Sequence, residues 1–284
     1  MSMRESQLSL LTPGQPKPDY PLFIFLPGTD GTGSLLKSQL SGLEQVFDVR
    51  CLALPHDDAE MGWDALAQQL ADLLTAEQSR GVPRSTYICG ESFGACLALK
   101  LAVQCPHLFN QLILINPASS LSRLPWMRLG VQALRWLPDS LYPLSTLGLL
   151  PFLIVPNRVD RSAQQELVRA MQSLTPQTAA WRLNLLGQFN ADELPLEGVK
   201  QPVLIIASHS DCLLPSNTEA SHLAERLPNA QVVALPESGH ACLLESEVNL
   251  YHLLRSTRFV EPIGLMTSDC GKTNPLCSLP YAAH

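Results

Sequence analysis

Charge is what this chain has little of. Only 16% of its 284 residues are Asp, Glu, Lys or Arg, against roughly 25% in ordinary soluble domains. The deficit implies large apolar surfaces, either buried or facing lipid. The formal net charge is −7, and basic residues neither cluster nor interleave with aromatics, which removes nucleic acid from the expected partners. Long apolar runs are missing too. Leu141 to Val155 has no charge but is interrupted by Pro143, Gly148 and Pro151, and it falls short of the ~20 residues that span a bilayer. Met1 to Asp19 is polar and proline-rich, without the apolar core of a secretory signal. The eight cysteines lack paired metal spacing, and no histidines are spaced as a ligand set. No metal and no cofactor is therefore expected. Reduced thiols in an intracellular protein, cytoplasmic or peripheral to an internal membrane, fit this usage.

What is present concentrates in Gly90-Glu91-Ser92-Phe93-Gly94, directly after the apolar run Thr86 to Cys89. The helix-forming stretch Phe93 to Gln104 follows and is closed by Pro106. Strand, sharp turn and helix in this order make a nucleophile elbow. The serine is strained at the turn, and small residues two positions either side let backbone approach. Such a serine needs a base and an acid to orient the base, arriving in the order Ser, Asp or Glu, His. Asp211 leaves the C-terminal end of the expected strand Pro202 to Ala207. His240 sits in a Gly-preceded loop after the strand Val232 to Leu235, before an expected apolar helix from Ala241 to Leu254. Order and strand-end placement thus make Ser92, Asp211 and His240 the candidate catalytic set. His209 is too close to Asp211 to present its ring to the serine. His56 is a candidate pocket residue only, and His107, His222 and His252 fall on helix ends or faces.

An oxyanion hole completes such a site. The backbone N–H of Phe93, next to the nucleophile, is one expected donor. The second is expected from the loop after the strand Leu22 to Leu26, at Thr29 or Asp30, where Gly28, Gly31 and Gly33 allow close approach. Phosphate binding fits this loop poorly, because no Lys-Ser/Thr follows and the glycine spacing is not that of a dinucleotide site.

Strands and helices alternate up to Asn116, stop alternating from Ser119 to Val199, and resume at Val203. The expected fold class is α/β, a mostly parallel sheet with helices on both faces and an inserted helical lid. The core comprises residues 20–118 and 200–259, the lid 119–199, with flexible tails at 1–19 and 260–284. Within the lid, an expected helix from Leu124 to Leu137 aligns Arg128, Gln132 and Arg135 on one stripe and is otherwise apolar. Trp126, Met127, Leu150 and Phe152 are its candidate substrate contacts. Two uses of these apolar residues stay open and are compatible: packing against the core, or an acyl-chain tunnel with a surface that dips into lipid. Helices from Asp160 to Ser173 and from the cap Thr175 with Pro176 would close the lid.

Five stretches carry a family resemblance: Leu26-Pro27-Gly28-Thr29-Asp30-Gly31-Thr32-Gly33, Gly90 to Leu99 around the elbow, Asn116-Pro117-Ala118-Ser119-Ser120, Leu213-Leu214-Pro215-Ser216 and Ser238-Gly239-His240. With them the chain resembles the α/β-hydrolase domain of the plant and algal esterase/lipase/thioesterase group that includes the phytyl ester synthases. The resemblance implies chemistry on long-chain acyl esters: hydrolysis, transfer of a fatty acyl group to an alcohol such as phytol or diacylglycerol, or acyl-thioester cleavage. The implied partner is a lipid or acyl-ester substrate, with peripheral membrane contact through the lid. Plant members continue into a second, acyltransferase-like domain, and this chain ends where that domain would begin. A rival expectation from another class is a hydrolase-fold protein that binds its ligand without turning it over.

Overall fold

Strands whose neighbouring side chains point to opposite faces need apolar residues at every position when both faces are covered. Leu22-Phe23-Ile24-Phe25-Leu26 is such a run, and all five residues are buried. The computed structural model describes residues 7–55, 61–80, 82–124 and 138–260. Its strands are β1 (Ser9–Leu11), β2 (Leu22–Leu26), β3 (Asp48–Ala53), β4 (Thr86–Glu91), β5 (Gln111–Ile115), β6 (Val203–Ser208) and β7 (Ala230–Leu235). They form one seven-stranded sheet in the order β1-β3-β2-β4-β5-β6-β7. Among the described residues only the β1–β3 pair is antiparallel, in the register Leu10↔Leu52. The chain before Tyr20, expected as a flexible tail, thus supplies an edge strand. Its three residues shield β3, whose residues Asp48 to Leu52 are all buried.

Phe23, Phe25, Tyr87, Cys89, Ile113 and Leu204 face α1 (Lys37–Leu43) and α8 (Leu250–Ser256). Leu22, Ile24, Ile88, Leu112 and Val203 face the other way, onto α2 (Trp63–Gln78), α3 (Phe93–Gln104) and α7 (Ser216–Arg226). The sheet is therefore covered on both faces. Strand order reverses between β2 and β4, so the loops after these strands diverge and leave a crevice at their C-terminal ends.

Between β5 and β6 the described chain is helical: α4 (Tyr142–Leu153), α5 (Arg161–Gln172) and α6 (Pro176–Gln188). Asp160 and Thr175 cap α5 and α6 by accepting the N–H groups of Ala163 and Thr178, as the sequence leads one to expect. The expected helix from Leu124 to Leu137, with Trp126, Met127, Arg128, Gln132 and Arg135, lies outside the described residues beyond Leu124, as does His56.

Two further expectations are corrected. The run Leu141 to Val155 is not broken by its prolines, because α4 passes through Gly148 and Pro151. Pro143 sits in the first turn, where its missing N–H is not needed, and Pro151 sits in the last, where it removes a single bond. Second, no helix runs from Ala241 to Leu254. A 3-10 turn at Cys242–Leu244 is followed by α8, capped by Asn249. The break lies at Glu245, whose carboxylate folds back to accept the N–H of Gly239 and the hydroxyl of Ser238. Among the described residues no helix is long and apolar enough to cross a membrane.

Candidate active site

The elbow is built by contact with backbone. A Cβ on Gly94 would lie 2.0 Å from the carbonyl oxygen of Leu26, and one on Gly90 would lie 2.4 Å from that of Gly94. With both positions bare, α3 starts tight against β2, and Ser92 takes φ 53 and ψ −108. A non-glycine residue there costs about 1–3 kcal/mol. Three backbone bonds hold it: Ser92 N donates to Ile115 O at 2.9 Å, and Ser92 O accepts from Ala95 N at 3.1 Å and Ala118 N at 3.2 Å. Phe93 is anchored by a ring contact with Trp63 at 4.8 Å. As the first residue of α3, its N–H has no acceptor within the helix.

The structure brings the three expected side chains together from the ends of β4, β6 and β7. His240 Nε2 lies 2.9 Å from Ser92 Oγ, and His240 Nδ1 lies 2.8 Å from Asp211 Oδ2. Asp211 is fixed by the N–H groups of Leu213 and Leu214 on Oδ1, at 2.9 and 3.0 Å, and by the Ser216 hydroxyl on Oδ2. This turn chemistry uses the lone pairs His240 does not need. Burial pushes the Asp211 carboxyl up, but the His240 charge and these hydrogen bonds hold it below the ordinary carboxylate value. For His240, burial alone would lower the imidazole; Asp211 and the nearby Glu91 outweigh it, and the net direction is up.

Asn116 was missed as a positioning residue. It sits at the end of β5 with φ 43, a region that Asn tolerates better than most residues. Its Nδ2 donates to His240 O at 2.7 Å and Ser208 Oγ at 2.9 Å, while its Oδ1 accepts from Ser208 N at 2.8 Å. One side chain thus ties β5, β6 and the histidine loop. Its sequence signal was its place at the head of Asn116-Pro117-Ala118.

The loop after β2 turns tightly beside Ser92, with Gly31 N donating to Gly28 O at 3.0 Å. A Cβ on Gly28 would meet Ser92 Cβ at 3.8 Å and Asp30 Oδ1 at 3.6 Å. Gly31 has φ 69, and a Cβ there would collide with Arg182 Nη1 at 2.4 Å. Arg182 was not anticipated. Fully buried in α6, it donates from Nη1 to Thr29 O at 2.7 Å and from Nη2 to Pro55 O at 2.9 Å. The Asp30 carboxylate turns to Thr32, accepting its N–H at 3.0 Å and its hydroxyl at 2.6 Å. Burial raises Asp30, against those bonds and the Arg182 charge.

A cavity of about 390 Å³ opens over Ser92. Gly28, Thr29, Asp30, Glu91, Ser92 and His240 form one end, and Leu121, Leu183, Leu186, Leu213 and Leu214 line much of the rest. From the insertion, α4 adds Ser145, Leu149, Phe152 and Leu153, spaced on one helical face, and α5 adds Leu167 and Met171. Phe152 is thus at the cavity. Leu150 is not: one residue round the helix from Leu149, it packs among Leu153, Ile154 and Leu167. Leu144 and Leu147, on the outer face of α4, are 66% and 48% exposed. Glu91, the second residue of the elbow motif, is buried beside Ser92. Desolvation, then the Asp30 charge, push its carboxyl up to about 7, against the pull of His240. Among the described residues no group of three His, Cys, Asp or Glu side chains converges as a metal site.

This geometry agrees with what the chain is similar to. It is 32% identical over 268 residues to phytyl ester synthase 1, chloroplastic, of Arabidopsis thaliana, covering 86% of this chain and 38% of the plant protein. Solved structures share the fold: the thermophilic esterase from Thermogutta terrifontis in its malate-bound form (TM-score 0.73, 17% identity, 89% of this chain and 93% of that one). So does MGS-M2, an α/β-hydrolase enzyme from a Medee basin deep-sea metagenome library (TM-score 0.72, 17% identity, 91% and 96%). The family described as serine aminopeptidase, S33 (Hydrolase_4) matches residues 57–247, from just after β3 to beyond the histidine loop. With that match added to the sheet order and the elbow, the chain belongs to the Hydrolase_4 family and is an α/β-fold hydrolase.

Proposed function

We propose that this protein is a serine hydrolase that cleaves apolar acyl esters through an acyl-enzyme on Ser92. The observation that carries this reading is the Ser92–His240–Asp211 chain at the mouth of a leucine-walled cavity. His240 Nε2 takes the proton of Ser92 as Oγ attacks the ester carbonyl; Asp211 orients the ring and stabilises the imidazolium. The N–H of Phe93 and that of Thr29 or Asp30 hold the oxyanion, each worth about 100- to 1,000-fold in rate. The tetrahedral adduct collapses, the alcohol leaves with the proton from His240, and the acyl group stays on Ser92. Water, activated by the same histidine, then releases the acid.

The described cavity walls are largely apolar and carry the carboxyls of Asp30 and Glu91, which favours neutral, apolar esters over anionic substrates. A second reading, transfer of the acyl group to an alcohol such as phytol, is supported by the likeness to a phytyl ester synthase. The chain spans 38% of that protein's length, so the plant enzyme's reaction comes to this chain as a proposal only.

The test is incubation of the purified protein with p-nitrophenyl palmitate, with and without phytol, beside Ser92→Ala, with acyl products identified by mass spectrometry. Free palmitate that disappears in Ser92→Ala supports the hydrolase. Phytyl palmitate formed in a Ser92-dependent way supports transfer. Turnover by Ser92→Ala near the parent rate would overturn both.

A further inference from the structure

The geometry points to Arg158 and Glu245 as a positioning pair that ties the acyl-chain wall to the loop holding His240. It rests on the reading of Ser92 and His240 given above. The insertion does not merely cover the cavity, because its segment Leu153 to Arg158 is bonded to the histidine loop through both backbone and side chain. Ala241 N donates to Leu153 O at 2.8 Å, and Ser246 N donates to Arg158 O at 3.1 Å. Arg158 Nε donates to Glu245 Oε2 at 2.7 Å.

Glu245 is the hub. Only 2% exposed, it accepts Gly239 N on Oε1 at 2.8 Å and Ser238 Oγ on Oε2 at 2.9 Å, besides the arginine. Gly239 and Ser238 directly precede His240, so the carboxylate sets the path of the backbone that carries the ring. A buried carboxylate bonded to a cation and two further donors is held far more firmly than a surface ion pair. The other acids on Arg158, Glu237 and Glu247, are 78% and 72% exposed and contribute little. Gly239 shows how close the two segments run: a Cβ there would come within 3.2 Å of Leu153 O and 3.1 Å of Val155 N.

The same segment begins where the cavity wall ends. Phe152 and Leu153 line the cavity, and Leu153 O is the acceptor for the residue after His240. An acyl chain that reaches Phe152 and Leu153 bears on the same segment whose clasp holds His240 in line with Ser92. A short chain does not reach that segment. Chain length therefore acts on kcat, through His240, as well as on KM, through apolar contact.

The experiment measures kcat and KM on p-nitrophenyl butyrate and p-nitrophenyl palmitate. It compares the parent protein, Arg158→Ala, Arg158→Lys and Glu245→Gln, with Ser92→Ala as reference and the melting temperature of each. The parent is expected to show a higher kcat on palmitate than on butyrate. Arg158→Ala should lower kcat on both esters, since both use His240, and most on palmitate, by about tenfold, the scale of a small misplacement of a catalytic group, with KM changed less than threefold. Arg158→Lys, which retains one donor to Glu245, should recover part of the loss. Glu245→Gln, which can still accept Gly239 N–H but turns an amide toward Arg158, should resemble Arg158→Ala.

A change in KM with kcat untouched would overturn the proposal, as would an equal kcat loss on both esters that tracks melting temperature. Activity surviving in Ser92→Ala would instead strike at the Ser92 reading, and Arg158→Ala matching the parent while Ser92→Ala is dead would strike at the clasp alone.

Discussion

At the scale of single residues, the site contains a carboxyl whose properties come entirely from where it is put. Glu91 precedes the nucleophile, is buried, and titrates at about 7 instead of its ordinary 4.5. Its charge is one of the influences that raise His240. In the proposed mechanism His240 must be neutral to accept the serine proton, so kcat/KM should rise with pH through an apparent pKa above the ordinary imidazole value of about 6.5. Glu91→Gln removes a negative neighbour that favours the imidazolium, and the rise should move to lower pH. Because Glu91 and His240 interact, the fitted values belong to the pair. A rise that stays in place would show that the two do not communicate, and one that moves to higher pH would refute the direction of the effect. Stability gives the opposite face of the same group. The folded chain binds the Glu91 proton more tightly than the unfolded chain does. That contribution is complete below pH 4.5 and is lost as pH rises to about 7, so ionised Glu91 weighs against the fold by on the order of 3 kcal/mol. Thermal melts at pH 8 should therefore show Glu91→Gln above the parent, with the difference shrinking at pH 5.

At the scale of elements, position depends on how closely the backbone of one element approaches another. The start of α3 and the end of β2 touch through Gly94, where an added Cβ would meet two carbonyl oxygens, Leu26 at 2.0 Å and Pro27 at 2.6 Å. Backbone cannot swing aside as a flexible side chain does. Gly94→Ala should cost roughly 3 kcal/mol, at the upper end for overpacking, and should cut the proposed turnover of p-nitrophenyl esters about 100-fold by moving Ser92 off line. Gly187 in α6 is the matched contrast, since a Cβ there meets nothing within 4 Å. Gly187→Ala should raise stability by about 0.5–1 kcal/mol, the helix preference for alanine over glycine. Urea melts of both variants check the pair: similar behaviour of the two would mean that close approach is not what Gly94 supplies.

At the scale of the whole molecule, the insertion and the first half of the sheet are joined by one buried cation. Arg182 bonds Thr29 O and Pro55 O across 153 and 127 residues of chain. Arg182→Met leaves both carbonyls without that donor, and the desolvation penalty sets the loss at roughly 3 kcal/mol. Activity should fall with it, because the Thr29 loop is the one expected to hold the oxyanion; a urea midpoint equal to the parent's would refute this. Such links mark the limit of what was legible beforehand. Alternating strands and helices were readable from local periodicity, and so was the elbow, because two glycines around a serine between an apolar run and a helix leave little else to form. Asp211 and His240 were readable because each follows a strand in a turn with a local chemical signature. The run Leu141 to Val155 misled, since proline breaks a helix only away from its ends. The Ala241 to Leu254 stretch misled because a distant contact of Glu245 outweighed helical propensity. The sequence by itself determined the α/β order and the strand ends on which the serine, acid and histidine sit, since these follow from patterns a few residues long. Only the tertiary structure decided that Glu91 is desolvated, that Asn116, Arg182 and Glu245 position the loops, and that α4 lines a cavity. Burial and partner choice there depend on segments that meet only when the chain has folded.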